Sequence, residues 1–123
     1  YYFSQKKLDE RCQKESYLKL IEKVQRLVMD EDLFEIQTSK DIEIVLMKKR
    51  ELNNCVYMLK KYARKFALDD DIKFIEEKTQ EYTDFFGNHQ QDIEYLKKSS
   101  NDLSRPLLLI DSRLSEIMIK LFE

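Results

Sequence analysis

An apolar register runs along the second half of the chain and advances alternately by four and three residues. Because an α-helix turns about every 3.6 residues, a repeat that averages about 3.5 keeps one stripe of side chains facing a partner helix. The register predicts long helices that pack on one another, and it specifies packing rather than chemistry. Its positions are Leu68, Ile72, Ile75, Thr79, Tyr82, Phe86, His89, Ile93, Leu96, Ser100, Leu103, Leu107, Ile110, Leu114, Ile117 and Leu121.

Glycine and proline are almost absent, since the 123 residues include one of each. β-Sandwiches and α/β folds need frequent tight turns, which this composition cannot supply. Charged residues make up 37% and hydrophobic residues 42%, a mixture typical of amphipathic helices with wet outer faces. The sequence therefore predicts an all-α fold: an elongated, mainly antiparallel bundle of about four helices with coiled-coil character.

The length is that of one ordinary domain, and we expect residues 1–123 to form a single helical bundle. The chain opens on Tyr1 without an initiator methionine, which indicates a piece of a longer protein. Cys12 and Cys55 fit no metal-ligand or redox spacing, and isolated cysteines on apolar helix faces are more often reduced core residues than a disulfide. We expect a cytoplasmic or nuclear location.

Two helices are predicted in the first half of the chain. The first covers about 4–29 and ends at the acidic stretch 30–32, because acids oppose the negative end of the helix macrodipole. The second begins after Thr38 or Ser39, either of which can serve as N-cap, and runs to about residue 67.

The connection between these helices is too apolar for a plain solvated loop, because it carries Leu33, Phe34 and Ile36. Two interpretations stay open. The segment either folds back over the end of the bundle, which is the commoner arrangement in small domains, or presents a short docking motif to a partner.

The third helix is predicted over about 70–86. Three consecutive aspartates, Asp69 to Asp71, lie at its start, where acids cap the helix and match the positive end of the macrodipole. Gly87 then provides the usual stop signal at C′, and Asn88 can cap the next helix. The apolar register runs straight through this point, so the two signals disagree.

The last element is predicted over about 89–122, with a kink or break between 99 and 106. Pro106 inside a helix would remove one hydrogen bond and crowd the preceding turn, at a cost of ~3 kcal/mol. Asp102 or Ser104 could instead cap a new helix that holds the proline in its first turn, where a missing N–H costs nothing.

Charge divides between the second and third predicted helices. Residues 40–66 hold eight basic and three acidic side chains, whereas residues 67–87 hold seven acidic and two basic ones. This complementarity predicts that the two helices form an antiparallel hairpin, although each surface pair contributes only ~0–1 kcal/mol.

Enzymatic and metal sites find little support in the residues. One glycine cannot build a phosphate-binding loop, and His89 is the only histidine, so His-rich metal sites cannot form. A tolerated packing role beside a turn explains this seam histidine better than catalysis or pH sensing. The aspartates of the third helix lack the spacing of a calcium-binding loop. We expect no enzymatic activity, no cofactor and no small-molecule substrate.

The C-terminal stretch is the strongest candidate for partner contact. Six successive register positions from Leu103 onward are apolar, and further apolar residues lie outside the register, so this helix should be covered from more than one side. It is either the central helix of the bundle or an oligomer interface. The predicted partner-binding residues are Leu107, Leu108, Ile110, Leu114, Ile117, Met118, Leu121 and Phe122, with Leu33 and Phe34 second.

A basic cluster on the second helix provides the alternative function. Lys60, Lys61, Arg64 and Lys65 could contact phosphates of an anionic lipid or a nucleic acid. A solvated helix face neutralised by the acidic third helix is the simpler interpretation, so membrane or nucleic-acid contact is not favoured.

The leading hypothesis is a non-enzymatic protein–protein interaction module, a scaffold or adaptor subunit of a larger assembly. It would use the apolar face near the C-terminus to bind a protein partner or a second copy of itself. The sequence identifies neither the partner nor the oligomeric state.

Overall fold

Five α-helices and two short 3₁₀ turns make up the fold in the computed structural model, which describes residues 2–122, with side chains from residue 9 onward. No strand occurs in this range, and the predicted all-α class is confirmed. The 3₁₀ turns are Glu31–Leu33 and Ala63–Phe66. The helices are α1 (Tyr2–Val28), α2 (Ser39–Tyr62), α3 (Asp69–His89), α4 (Ile93–Lys97) and α5 (Ser100–Phe122).

The four long helices pack antiparallel around one apolar core. α2 packs on α1 and α3, and α5 packs on the same two helices from the other side. The Tyr17 hydroxyl of α1 donates to the Leu59 carbonyl near the end of α2 at 2.7 Å, whereas Lys23 pairs with Glu51 farther back at 3.2 Å. Numbers rise along one helix as they fall along the other, which is the antiparallel order.

The apolar register marks the inner faces of α3 and α5. Its positions in both helices are buried, apart from the helix-end residues His89 and Ser100, which are half-buried. The polar Thr79 is also buried, because its hydroxyl donates to the Ile75 carbonyl one turn back at 2.8 Å. The two helices pack on each other through this common stripe, which therefore forms core inside the chain.

At Gly87 the apolar register prevails over the local stop signal, and α3 ends three residues later than predicted. The helix continues through Gly87 and Asn88 to His89, and the glycine does not adopt the positive φ of a C′ residue. The last turn is held by packing: His89 stacks on Tyr95 of α4, with ring centroids 4.2 Å apart. Capping of the next helix belongs to Asp92, whose carboxylate accepts the Tyr95 N–H at 3.1 Å.

The last predicted element divides into two helices, at the edge of the region where a break was expected. α4 ends before Ser99, whose hydroxyl donates to the Tyr95 carbonyl at 2.7 Å. Pro106 is buried within α5, beyond its first turn, and neither Asp102 nor Ser104 begins a helix there. Burial of the neighbouring register side chains against α3 offsets the hydrogen bond that the proline removes.

The second helix ends about five residues earlier than predicted. α2 is α-helical to Tyr62, and the chain then tightens into the 3₁₀ turn before Ala67. Ala67 has φ of 55°, the left-handed conformation that reverses the chain at a helix end. The Leu68 N–H donates to the Ala63 carbonyl at 2.9 Å, so the turn is closed by backbone hydrogen bonds.

Thr38 is confirmed as the N-cap of α2. The Asp41 carboxylate reaches back and accepts the N–H groups of Thr38 and Gln37, both at 2.8 Å. Its hydrogen bond from the Gln37 N–H, followed by that from Thr38, holds the pKa of Asp41 below its ordinary value.

The connection between α1 and α2 folds over the core, as the commoner of the two interpretations expected. Leu33 and Ile36 are fully buried and Phe34 is half-buried. The buried Tyr82 of α3 donates its hydroxyl to the Leu33 carbonyl, which fixes the loop at its centre. Burial raises the pKa of the Tyr82 hydroxyl, so it remains a donor through the neutral range.

Lys48 ties the acidic turn to α2. The apolar stripe of α2 consists of buried residues that include Val45, Leu52 and Leu59. Lys48 lies between the first two of these, and its ammonium donates to the carboxylates of Asp30 and Asp32. These two hydrogen bonds raise the pKa of Lys48, and the hydrogen bond from Lys48 lowers the pKa of Asp30. A lysine therefore anchors the end of α1 where the stripe lacks an apolar residue.

This ion pair predicts an acid-dependent loss of stability. Because Asp30 has a lowered folded-state pKa, its contribution is complete above its ordinary value of 3.8 and disappears as the pH falls through the lowered value. Asp30→Asn should cost about 1 kcal/mol of unfolding free energy at neutral pH and much less at an acid pH below the lowered pKa of Asp30. Urea unfolding at the two pH values measures this. Glu31→Gln, beside it, is the matched control, and equal losses at both pH values would contradict the assignment.

Candidate interaction surfaces

The inner face of α5 belongs to the core of this chain. Six of the ten predicted partner-binding residues are buried and therefore cannot reach a partner in this fold. The central-helix alternative accounts for the five on α5, and the sixth anchors the connecting loop. The six residues are Leu33, Leu107, Ile110, Leu114, Ile117 and Leu121.

The remaining predicted residues lie at or near the surface. Leu108 and Phe122 are 53% and 71% exposed, whereas Met118 and Phe34 are half-buried against the core. Ile119, which the partner prediction did not include, is 63% exposed. The signal for it was present in the sequence as apolar surplus outside the register.

Three of the four exposed large apolar residues of α5 fall on one line along the helix, whereas Leu109, which is 41% exposed, lies beside it. Leu108, Ser112, Ser115, Ile119 and Phe122 advance by steps of four and three, so they share the outward face. None of the five is charged, and all are exposed. We call this set the outer α5 stripe.

A buried aspartate holds α5 in its orientation. Asp71 in the first turn of α3 is 5% exposed and accepts from Arg113 at 3.1 Å and from Lys120 at 2.7 Å. The Arg113 guanidinium also lies over the Phe74 ring, 4.2 Å from its centroid. Capping was the expected role of this aspartate, yet the N-cap is Leu68, so the main role of Asp71 is to bridge two helices.

Sequence reasoning missed this bridge because it links residues far apart in the chain. The available signal was the spacing of Arg113 and Lys120, which are seven apart and therefore lie on the same side of α5. With the two cations directed toward α3, the outer α5 stripe is turned away from α3 and borders α1, where the Gln25 side chain donates to the Ser115 hydroxyl at 3.3 Å.

The basic cluster lies at the end of α2. Lys60 pairs with Glu76 of α3 at 3.0 Å, which agrees with the predicted hairpin of complementary charge. Lys61, Arg64 and Lys65 are exposed and form no ion pair with any residue from 9 to 122. Neutralisation by α3 therefore reaches only one of the four predicted anion-binding residues.

A groove runs between α1 and the end of α2, close to this cluster. It has a volume of about 540 Å³, and its walls are mainly aromatic and aliphatic. We call it the α1/α2 groove. It is lined by Cys12, Gln13, Ser16, Tyr17, Leu20, Met58, Tyr62, Lys65 and Phe66.

The groove was not predicted from the sequence, although the position of Met58 off the apolar stripe of α2 is a sign of a second contact face. Tyr17 packs against Phe66 at its floor, with the rings tilted by 40° and their centroids 4.8 Å apart. Cys12 lies at its edge and is exposed, which corrects the expectation of a core residue, whereas Cys55 is buried as expected. Burial raises the pKa of the Cys55 thiol, so it stays protonated and unreactive at neutral pH.

No catalytic or metal-binding constellation is visible in the part of the chain that the structure describes. No group of three or more potential ligand side chains gathers there, and His89 is occupied by ring stacking at the end of α3. None of the helices described has the length and hydropathy that crossing a bilayer requires.

Comparison with protein-family models, with curated proteins and with solved structures finds no match to this chain. Its surfaces therefore have to be interpreted from their own chemistry.

The position of each α5 residue predicts how it tolerates a charge. Leu114→Asp and Ile117→Asp would bury an uncompensated carboxylate, a cost comparable to the ~5–15 kcal/mol total stability of a domain. We expect both variants to lose the helical circular dichroism signal and the cooperative melt. Ile119→Asp, on the outer face of the same helix, should stay folded; a folded, associating Leu114→Asp variant would contradict the core assignment.

Proposed function

We propose that this protein is a non-enzymatic interaction module that associates with a protein partner through the outer α5 stripe. The observation that carries the proposal is the exposure of Leu108, Ile119 and Phe122 on one uncharged helix face. Large apolar side chains aligned on a rigid surface are characteristic of interaction sites, whereas scattered single ones are not. The role is that of a scaffold or adaptor subunit in the cytoplasm or nucleus.

A second copy of the chain is the partner that this stripe fits best. In an antiparallel pairing of two α5 helices, Leu108 of one copy faces Phe122 of the other. Ser115 then lies at the centre, where a small side chain lets the two helices approach closely. The stripe is therefore complementary to itself, as the interface of a two-fold symmetric dimer must be.

The rigidity of α5 supports this role. The helix is packed on α1 and α3 and is fixed by the bridges from Arg113 and Lys120 to Asp71, so the stripe is presented on a preformed surface. A preformed surface loses little conformational entropy on association, which favours binding through a small apolar area.

Light scattering over a concentration series tests the proposal. We expect the wild-type chain to dimerise at high concentration and Ile119→Asp to remain monomeric, because the substitution places a charge at the apolar contact. Met47→Asp is the matched control, since Met47 is 64% exposed but lies on α2, away from the stripe. A wild-type chain that stays monomeric at millimolar concentration, or an Ile119→Asp variant that still dimerises, would refute pairing through this face.

A further inference from the structure

The α1/α2 groove combines an apolar floor with a cationic edge. Among its lining residues, Lys65 is charged and none is acidic. The Lys61 ammonium lies over the Tyr62 ring, 5.6 Å from its centroid, which brings a second cation to the same edge. Two acids of α1 lie near the groove but do not line it: Glu15 is paired with Arg11 at 3.6 Å, and the exposed Asp9 lies one turn before Cys12.

One wall of the groove has no packing from the rest of the described chain. Tyr17 is the first buried residue of α1, and every described residue before it, from 9 to 16, is exposed or half-exposed. Because Tyr17 already packs against Phe66, the last residue of the 3₁₀ turn after α2, α1 runs past the end of its neighbour. Helices in proteins derive most of their stability from packing of an apolar face, so this extension has a face available for a partner.

The dimensions fit a short helix. Along α1 the lining extends from Cys12 to Leu20, which corresponds to about 12 Å at the rise of an α-helix, or roughly two turns. Two turns carry apolar side chains at positions i, i+3 or i+4 and i+7, the pattern that fills such grooves in helix recognition. Met58, Tyr62 and Phe66 are also of the residue types that predominate at interface centres.

From this geometry we infer that the α1/α2 groove binds an acidic amphipathic helix of a partner protein. The apolar side chains of that helix enter between Leu20, Met58 and Phe66, and its carboxylates face Lys61 and Lys65. The inference concerns a surface separate from the outer α5 stripe, because no residue of α5 lines the groove.

The binding surface also gives a role to the cations that the hairpin leaves unpaired. Lys60 is satisfied by Glu76, whereas Lys61 and Lys65 have no acid from this chain within the described residues. Exposed cations beside an apolar groove raise the association rate of an acidic partner and orient it, and the apolar contacts supply the affinity.

Fluorescence anisotropy with a synthetic peptide tests the inference. The probe is a labelled amphipathic peptide of about 15 residues, with leucine and phenylalanine on one helical face and glutamate on the other. A peptide of the same composition in scrambled order is its control. We expect saturable binding of the amphipathic peptide and at least about tenfold weaker binding of the scrambled one, because only the former gathers its apolar side chains on one face.

Matched variants locate the site. Met58→Ser, in the groove, should weaken binding about tenfold, whereas Met47→Ser, on the same helix outside it, should leave binding unchanged. The double variant Lys61→Glu with Lys65→Glu should bind the glutamate peptide more weakly than the wild type does. It should bind a peptide with lysine in place of glutamate more tightly. Lys40→Glu with Arg50→Glu, also on α2, is the control for a general effect of charge. Circular dichroism establishes that each variant is folded.

The measurements are repeated in the Ile119→Asp background, which removes the outer α5 stripe. Unchanged peptide binding there shows that the groove acts independently of association through α5. The proposal for each surface can therefore be refuted without refuting the other. Peptide binding that is insensitive to Met58→Ser overturns the inference. So does tighter binding of single-stranded DNA or phosphatidylserine vesicles that depends on Lys61 and Lys65 alone, because the cluster would then serve a phosphate-rich surface.

Discussion

The burial of the inner faces of α3 and α5 against each other is the interaction on which the rest of the structure depends. The register from Leu68 to Leu121 supplies both faces, and its residues within these helices are almost all excluded from solvent. Once these two helices are paired, α1 and α2 complete the core from the other side, and the connecting loop covers it through Leu33 and Ile36. The buried and half-buried ion pairs of the fold then orient helices that apolar burial has already assembled.

Those ion pairs determine which helix faces remain at the surface. Asp71 of α3 forms ion pairs with Arg113 and Lys120 of α5. Lys48 of α2 forms ion pairs with the acidic turn after α1. Buried or half-buried ion pairs of this kind contribute modestly to stability, because desolvation offsets much of their attraction, but they are specific in direction. The consequence for function is that the outer α5 stripe and the α1/α2 groove stay open as two surfaces that share no residue.

The two helix-breaking residues show where local signals lose to packing. Gly87 costs a helix about 1 kcal/mol relative to alanine, and Pro106 about 3 kcal/mol, yet both lie inside helices. Each is flanked by register positions whose burial contributes more than these amounts: Phe86 before the glycine, and Leu103 and Leu107 around the proline. The chain breaks instead at 90–92 and at Lys98–Ser99, where polar residues predominate and Asp92 can cap the following helix.

The sequence by itself determined the all-α class, the approximate extent of the first three helices and the positions of the core face, because periodicity and capping are local properties of the chain. It limited the N-cap of α2 to Thr38 or Ser39, and it left open whether the connecting loop covers the core. It did not determine whether the strong seam of α5 packs inside the chain or against a partner, since an apolar stripe has the same pattern in both cases. Only the tertiary structure buried Leu114 and Ile117, exposed Ile119, joined Asp71 to Lys120 and formed the groove between α1 and α2. These features bring together residues distant in sequence, and their positions follow from how whole helices pack rather than from any single segment.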